Sequence, residues 1–540
     1  MSWTYPSHVR LRRERHFGDR VPACLVDRPA SPYAAFEQAV RERPQAEALV
    51  IGNQRFSYAA LDAHAARVAA GLAARGVAPG DRIALWLGNR LEFVTMLLVA
   101  WRLGAIVVPI GARLQGPEVA YIVQHCGAVV LVHEATLAGR LPAAIDTPWL
   151  ALRVSAGGAV DGSEPYEALA QAVAILARPL REDAIAAILY TSGTTGRPKG
   201  AMLSHLNLVH AMLTYQHAMA IGPEDRTLMA VPASHVTGLT ANILLAWAAQ
   251  GALIVMPEFK AGAFLELAAR ERMTHTVIVP AMYKLCLLQP EFARHDLSHW
   301  RVGGYGGAPM AEATISALAE ALPRLGLYNI YGSTETSGPV TLLPRELAAR
   351  RADSTGWVVP TAEIAVMDED GRELPSGTAG ELWIRGPMVV PGYWANPEAT
   401  QQGFVAGYWR SGDVGSIDAE GFVRVFDRLK DMLNRGGYKI YSVEVEHVLL
   451  QHPAVVESAI VGKPCPVLGE RVHAFVCVKP GLAADAALSD ELRRHCAERL
   501  ADYKVPESLT LGHAPLARNA NGKLLKREMR AQIQNQGVLR

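Results

Sequence analysis

Residues 184–212 constrain the fold more than any other stretch of this chain. An apolar run, Ala184-Ile-Ala-Ala-Ile-Leu-Tyr190, has the length and composition of a buried strand. It leads into Thr191-Ser192-Gly193-Thr194-Thr195-Gly196-Arg197-Pro198-Lys199-Gly200, which is rich in glycine, hydroxyls and positive charge. A helical pattern follows at Leu206, Leu208, Val209 and Met212, with Ser204 placed to cap it. Strand, glycine-rich turn and helix form a unit of α/β folds that grips polyphosphates. Glycine lets the backbone approach, amides and hydroxyls donate, and a cation neutralises charge. The common P-loop is excluded, because Gly200 and Ala201 follow Lys199 where a Mg²⁺-binding hydroxyl would stand.

The rest of the chain is read around that unit. At 540 residues it is too long for one core and implies at least two domains. A net charge of +1 provides no basic field for nucleic acid. Six cysteines are scattered without a C-x-x-C pair, so neither zinc nor a disulfide framework is expected, and a reducing cytoplasm is the expected compartment. The first fifteen residues lack the apolar core of a signal peptide. Leu239 to Pro257 carries no charge, but polar residues and Gln250-Gly251 divide it into a helix (241–249) and a strand (252–256), so no membrane span is expected.

Segments 48–51 and 54–57 read as a hairpin around Gly52-Asn53. A helix with Leu61, Ala65, Val68 and Leu72 on one face follows and stops at Gly76. Strands and helices then alternate (82–87, 91–103, 106–109, 118–125, 128–132), which implies a parallel sheet covered by helices. After about residue 350 short strands alternate with turns such as Asp368-Glu-Asp-Gly371 and Pro375-Ser-Gly377. The last hundred or so residues read as α+β, with helices at 442–450 and 490–500 and strands at 455–461 and 472–478. The expected fold class is α/β: a large N-terminal domain (1–427) of α/β layers with a β-rich subdomain, and a smaller mobile α+β C-terminal domain (428–540) joined by a hinge.

Further blocks stand in order along the chain: Tyr331-Gly-Ser-Thr-Glu335, Tyr408-Trp-Arg-Ser-Gly-Asp413, Asp427-Arg-Leu-Lys-Asp-Met-Leu-Asn-Arg-Gly-Gly437 and Asn519-Ala-Asn-Gly-Lys523. With the glycine-rich segment they resemble the signature blocks of the adenylate-forming superfamily, which contains acyl- and aryl-CoA ligases, luciferases and the adenylation domains of peptide synthetases. The resemblance covers nearly the whole chain beyond its first thirty or so residues. Two departures are modest: Asp427 stands where many members have glycine, and Trp409 occupies a variable position.

The resemblance implies an ATP-dependent acid–CoA ligase using ATP, Mg²⁺ and coenzyme A. A carboxylate is a poor electrophile because its leaving group would be oxide. Attack on the α-phosphorus of ATP gives acyl-AMP and pyrophosphate, and a thiol then displaces AMP. The first step brings an anion against a polyanion, so it needs positive charge and alignment more than a general base. Thr191, Ser192, Gly193, Thr194, Thr195, Gly196 and Lys199 would hold the β- and γ-phosphates. Glu335 would bind Mg²⁺, and Tyr331, Gly332, Ser333 and Thr334 would line the nucleotide beside it. Gly307 and Ala308 would lie against the adenine. Asp413 would accept from the ribose hydroxyls, with Arg428 as a second nucleotide contact. Lys523 would stabilise the adenylation transition state. Lys430 matches the hinge, and Gly436, Gly437 and Lys439 would be brought to the site for the thiol step.

Pro232-Ala-Ser-His-Val-Thr-Gly-Leu239 resembles the block that contacts the acid's carboxylate end, which makes His235 a catalytic candidate and His235 and Val236 substrate contacts. No acid stands there to pair with an α-ammonium, and an unpaired buried charge is costly. With Gly307, Pro339 and Val340, this predicts an aliphatic or aryl acid without an α-amine. Small molecules are the expected partners, with a homodimer as a candidate assembly. The alternatives are acyl transfer to a carrier protein and a non-catalytic nucleotide or acyl-ligand sensor.

Overall fold

The first amphipathic helix forms as its spacing predicts. Tyr58–Ala74 buries Leu61, Ala65, Val68 and Leu72 completely. Ser57 caps it by accepting from the Ala60 amide, and Gly76 turns the chain away at φ +88°. The hairpin before it, Glu47–Ile51 with Gln54–Ser57, pairs antiparallel across Gly52-Asn53. The computed structural model describes residues 3–170, 173–191, 197–518 and 524–537, the last four of these by backbone only.

The chain forms two compact units. The first comprises Met1–Ile364, Trp383–Arg410 and Ala419–Val423; the second comprises Ala365–Leu382, Ser411–Asp418 and Arg424–Arg540.

The first unit is α/β throughout. One sheet runs in the order Lys199–Ser204, Ile185–Thr191, Ile106–Ile110, Arg82–Trp86, Val130–Glu134, Leu152–Ala156, Glu164–Pro165, parallel except at its first pair. A second sheet has a parallel centre of Gly326–Ser333, Val302–Gly306, His275–Ile278, Arg226–Met229, Ala252–Val255 and Glu47–Ile51. Antiparallel strands Gly338–Leu343 and Gly356–Val358 extend one side. Apolar helices fill the core: Leu91–Leu103 buries every residue from Phe93 on, and Phe36 packs edge-on against Trp247 at 5.3 Å.

One local expectation is corrected. The glycine-rich turn does not open directly into a helix. Lys199–Ser204 returns as a strand antiparallel to Ile185–Thr191, with Thr191 opposite Lys199. The helix His205–Met219 starts only after that, at a full capping box on Ser204 and Asn207. The return strand reads Lys-Gly-Ala-Met-Leu-Ser, without apolar alternation, and its pairing comes from outside its own segment.

The charge-free stretch behaves as expected, with two refinements. It holds a π-helical turn, Leu239–Leu244, a short helix, Leu245–Ala248, and a strand, Ala252–Val255, with every side chain buried except that of Ala248, which is half-buried. Its helical part starts earlier, at Val236. No helix among the described residues is long and apolar enough to cross a membrane.

The second unit carries two hairpins, Leu433–Arg435 with Tyr438–Ile440 and Val455–Cys465 with Gly469–Val478, and a parallel partner, Ser508–Gly512. Helices Ser442–Leu450 and Ala486–Ala497 cover a core of Val445, Leu449, Ile460, Val472, Val476 and Leu492. The second helix begins four residues before its expected start because Asp485 caps it, accepting from the Leu488 amide.

Three histidines in the first unit are buried as neutral rings. Burial pushes His205 down to about 4 and His210 and His275 down to about 3. His210 accepts the Leu25 amide at 3.1 Å on one ring nitrogen, a role only the neutral ring can fill. Unfolded, each titrates near 6.5, so the unfolded chain binds more protons and stability falls as pH drops from about 7 toward 4. The expected loss is about 2 kcal/mol per histidine at pH 5. The urea midpoint should therefore fall steeply between pH 7 and 5, and His275→Asn should make that fall shallower. A midpoint flat across this range would contradict the assignment.

Candidate active site

Strand Ile185–Thr191 places Thr191 at the mouth of the glycine-rich turn. Ser192, Gly193, Thr194, Thr195 and Gly196 lie outside the described residues. The two cations after them each rest over an aromatic ring, Arg197 at 5.7 Å from the Tyr121 centroid and Lys199 at 5.3 Å from that of Tyr393. The Tyr121 hydroxyl donates to the Pro198 carbonyl at 3.2 Å, and the Tyr190 hydroxyl meets His125 Nδ1 at 2.7 Å. Burial lowers His125 from its ordinary value and raises the Tyr190 phenol.

Strand Gly326–Ser333 delivers the second block. Its register shifts between Tyr331 and Gly332, and a Cβ on Gly332 would lie 2.0 Å from the Gly338 carbonyl oxygen, so only glycine fits. Thr334–Thr336 then forms a single 3₁₀ turn that presents Glu335, half-buried. Three hydroxyls donate to its carboxylate: Ser333 Oγ at 3.0 Å, Tyr393 OH at 3.1 Å and Thr191 Oγ1 at 3.4 Å. An all-oxygen, partly solvated carboxylate suits a hard cation such as Mg²⁺ and not a thiolate- or imidazole-loving metal.

The block 232–239 is fixed from both sides. His235 precedes the short helix Val236–Gly238, and both His235 and Val236 are half-buried. Asn89, buried beyond strand Arg82–Trp86, donates to the Val231 and Met256 carbonyls, both at 3.0 Å, and accepts from the Ala233 amide at 2.7 Å. The Thr240 hydroxyl lies 2.7 Å from the Val236 carbonyl and 2.8 Å from that of Ser337, tying this block to the turn that carries Glu335. Gly307, at φ +76°, and Ala308 are exposed beyond strand Val302–Gly306. Pro339 is buried in strand Gly338–Leu343, and Val340 has no exposed surface.

In the second unit Asp413 is buried and its carboxylate receives Arg428 Nε at 2.7 Å. The backbone around them is closed by the Leu429 amide on the Gly412 carbonyl, 2.8 Å, and by the Gly412 amide on Glu381 Oε1, 3.2 Å. Asp427, the departure from the family's glycine, is buried and accepts the Arg428 and Ser442 amides. Burial raises Asp427 and Glu446, and the Lys526 ammonium, 2.7 Å from Glu446 and 2.6 Å from the Ser442 hydroxyl, opposes the shift in both. Lys430 is exposed. Gly436 and Gly437 adopt φ +59° and +91°, where a side chain would be strained. Lys439 is exposed and pairs with Glu369 at 3.1 Å. Lys523 lies outside the described residues.

Sequence reading missed Asn89, Glu381 and Tyr393. A signal for the last was present in Pro391-Gly-Tyr-Trp394, a turn and aromatic pair between a strand and a helix. A separate cluster, Glu14, His16 and Cys24, brings three metal-binding atom types within 4.8 Å. Arg28 occupies Glu14 at 2.7 Å and burial pushes the Cys24 thiol up to about 12, so this group is an ion-pair network.

Comparison with known proteins identifies the family. The family model described as AMP-binding enzyme matches residues 36–394, and that described as AMP-binding enzyme C-terminal domain matches 444–523. A feruloyl-CoA synthase of Amycolatopsis sp is 35% identical over 500 residues, covering 91% of this chain and 96% of its own. A long-chain-fatty-acid–CoA ligase of Mycobacterium tuberculosis, FadD13, is 35% identical over 483 residues, 88% of this chain and 93% of its own. Among solved structures, the anthranilate CoA ligase AuaEII in complex with anthranoyl-AMP superposes with a TM-score of 0.87 at 27% identity, covering 94% of this chain and 98% of that one. The chain belongs to the AMP-binding enzyme family, as a member of the adenylate-forming superfamily of acyl- and aryl-CoA synthetases that use ATP, Mg²⁺ and CoA.

Proposed function

We propose that this ligase activates an uncharged aliphatic or aryl carboxylic acid without an α-amine and passes it to CoA. The carrying observation is the Glu335 carboxylate, gathered by Thr191, Ser333 and Tyr393 beside Lys199. Bound there, Mg²⁺ would neutralise the phosphate oxygens as the acid's carboxylate approaches. The residues 191–199 hold the β- and γ-phosphates, and Asp413, oriented by Arg428, accepts from the ribose hydroxyls. His235 and Val236 receive the acid's carboxylate end, with Gly307 and Pro339 beside the acyl group. The acid's oxygen bonds to the α-phosphorus as pyrophosphate leaves, with Lys523 bearing on the developing charge. The CoA thiol then attacks the acyl carbonyl carbon and AMP departs. For that second step residues 428–540 turn about Lys430 and bring Gly436, Gly437 and Lys439 to the site.

All six cysteines are free and buried, which supports a reducing cytoplasm as the compartment. The test of function is pyrophosphate release across a panel of acids, with and without CoA. Hexanoate, decanoate, benzoate and a coumarate-like acid should each give a higher kcat/KM than succinate or phenylalanine. An unpaired buried charge costs several kcal/mol, against ~1–3 kcal/mol for the fit of a methylene. Succinate or phenylalanine as best substrate would refute this pocket.

A further inference from the structure

Beyond the Tyr393 contacts already described, the segment 390–394 ties together three pieces of the first unit. It lies along the outer side of the return strand Lys199–Ser204. Tyr393 bridges Ala201, the Met202 amide donates to the Gly392 carbonyl at 3.1 Å, and the Trp394 amide donates to the Gly200 carbonyl at 2.7 Å. The Val390 amide donates to the backbone carbonyl of Glu335 at 2.9 Å. From the N-terminal segment, Arg20 donates to the Val390 and Pro391 carbonyls at 2.8 and 3.1 Å. Its guanidinium sits 5.2 Å from the Phe404 centroid, and that ring meets Tyr393 edge-on at 5.7 Å. The segment is therefore fixed where it presents the Tyr393 side chain to the site.

That side chain touches both charges of the nucleotide site. The phenol hydroxyl donates to Glu335 Oε1 at 3.1 Å, and the ring face holds the Lys199 ammonium at 5.3 Å. Glu335 and Lys199 make no ion pair with each other among the described residues. A carboxylate and an ammonium that pair cancel, leaving less charge for a cation and for phosphate. A hydroxyl on one and an aromatic face under the other keep both available.

We propose that Tyr393 is a positioning residue of the nucleotide site, whose hydroxyl sets the Glu335 carboxylate for the divalent cation while its ring keeps Lys199 from pairing with that carboxylate. This rests on the reading that Glu335 holds the Mg²⁺ that accompanies ATP.

The experiment titrates Mg²⁺ at fixed ATP and follows both ATP binding by calorimetry and pyrophosphate release. Tyr393→Phe keeps the ring and removes the hydroxyl. It should raise the Mg²⁺ concentration for half-maximal binding about tenfold, the low end of what losing a hydrogen bond to a ligating carboxylate costs. Its rate at saturating Mg²⁺ should stay within about threefold of wild type, because the carboxylate itself remains. Thioester formation from preformed acyl-AMP should be unchanged. Tyr393→Leu should also raise the KM for ATP, since Lys199 is then released. Glu335→Gln separates the two levels. If it leaves the Mg²⁺ requirement unchanged, the metal reading fails and the proposal falls with it. If it raises the requirement while Tyr393→Phe matches wild type, the metal reading stands and the positioning role is overturned. In the double variant, Tyr393→Phe should add nothing to Glu335→Gln, and a fully additive loss would overturn the proposal. Equal loss of both half-reactions with a lowered unfolding temperature would also overturn it, as a purely structural effect.

Discussion

Lys523→Ala should lower acyl-AMP formation by about 10²–10³, the usual cost of one lost transition-state contact, and spare thioester formation from preformed acyl-AMP. The variant isolates one step under the proposed role, in which the lysine would serve only while the carboxylate meets the α-phosphate. The chain is closed on both sides of 519–523 by the Arg518–Leu524 bridge and the Leu525 amide on the Ala517 carbonyl at 2.9 Å. Arg518 pairs with Glu457 at 3.0 Å, and Lys526 pairs with Glu446 in the buried cluster. Rapid-quench measurement of pyrophosphate release, beside thioester formation from synthetic acyl-AMP, reads the two steps separately. Equal losses in both, with an unchanged unfolding temperature, would rule out a step-specific lysine.

Lys430→Pro should give the opposite split. Proline fixes φ, and a domain turning about residue 430 needs that torsion. Pyrophosphate release should survive, while CoA thioester formation falls by about 10² or more, as expected when reacting groups are kept out of place. The surroundings favour a pivot here. Residue 427 is locked by its buried carboxylate, whereas the Lys430 carbonyl is held by the Arg530 guanidinium at 3.1 Å in an exposed bond, beside the Arg530–Asp431 pair at 2.8 Å. CoA turnover near the wild-type rate would place the pivot elsewhere.

What the sequence made legible was local. Apolar spacing located Tyr58–Ala74 and Ser442–Leu450, and Ser204 was readable as a cap because the capping box is a short-range pattern. Glu335 was readable as a candidate from the block around it. Two of the three hydroxyls that orient it were not, since Thr191, at the end of a strand, and Tyr393, an isolated bridge residue, lie far away in the chain and meet it only through tertiary folding. The same holds for Asp413 and Arg428, identified as separate candidates and joined at 2.7 Å only by the fold. The return strand Lys199–Ser204 was missed for a related reason: its partners on both sides, Ile185–Thr191 and residues 392–394, define it better than its own six residues do.

That last pairing bears on how the chain can be cut. Lys199–Ser204 ends its sheet, and an uncovered end strand offers its amides and carbonyls to any passing extended segment. Here residues 392–394 occupy that side, nearly two hundred positions downstream of the strand they cover. A fragment ending before residue 390 would keep every strand of that sheet and lose the segment that covers this border. Such a fragment should be prone to aggregate, since it also loses Val390, Tyr393 and Ala399 from the main core, so an expression boundary for the nucleotide-loop sheet belongs after Trp394 rather than at the last strand.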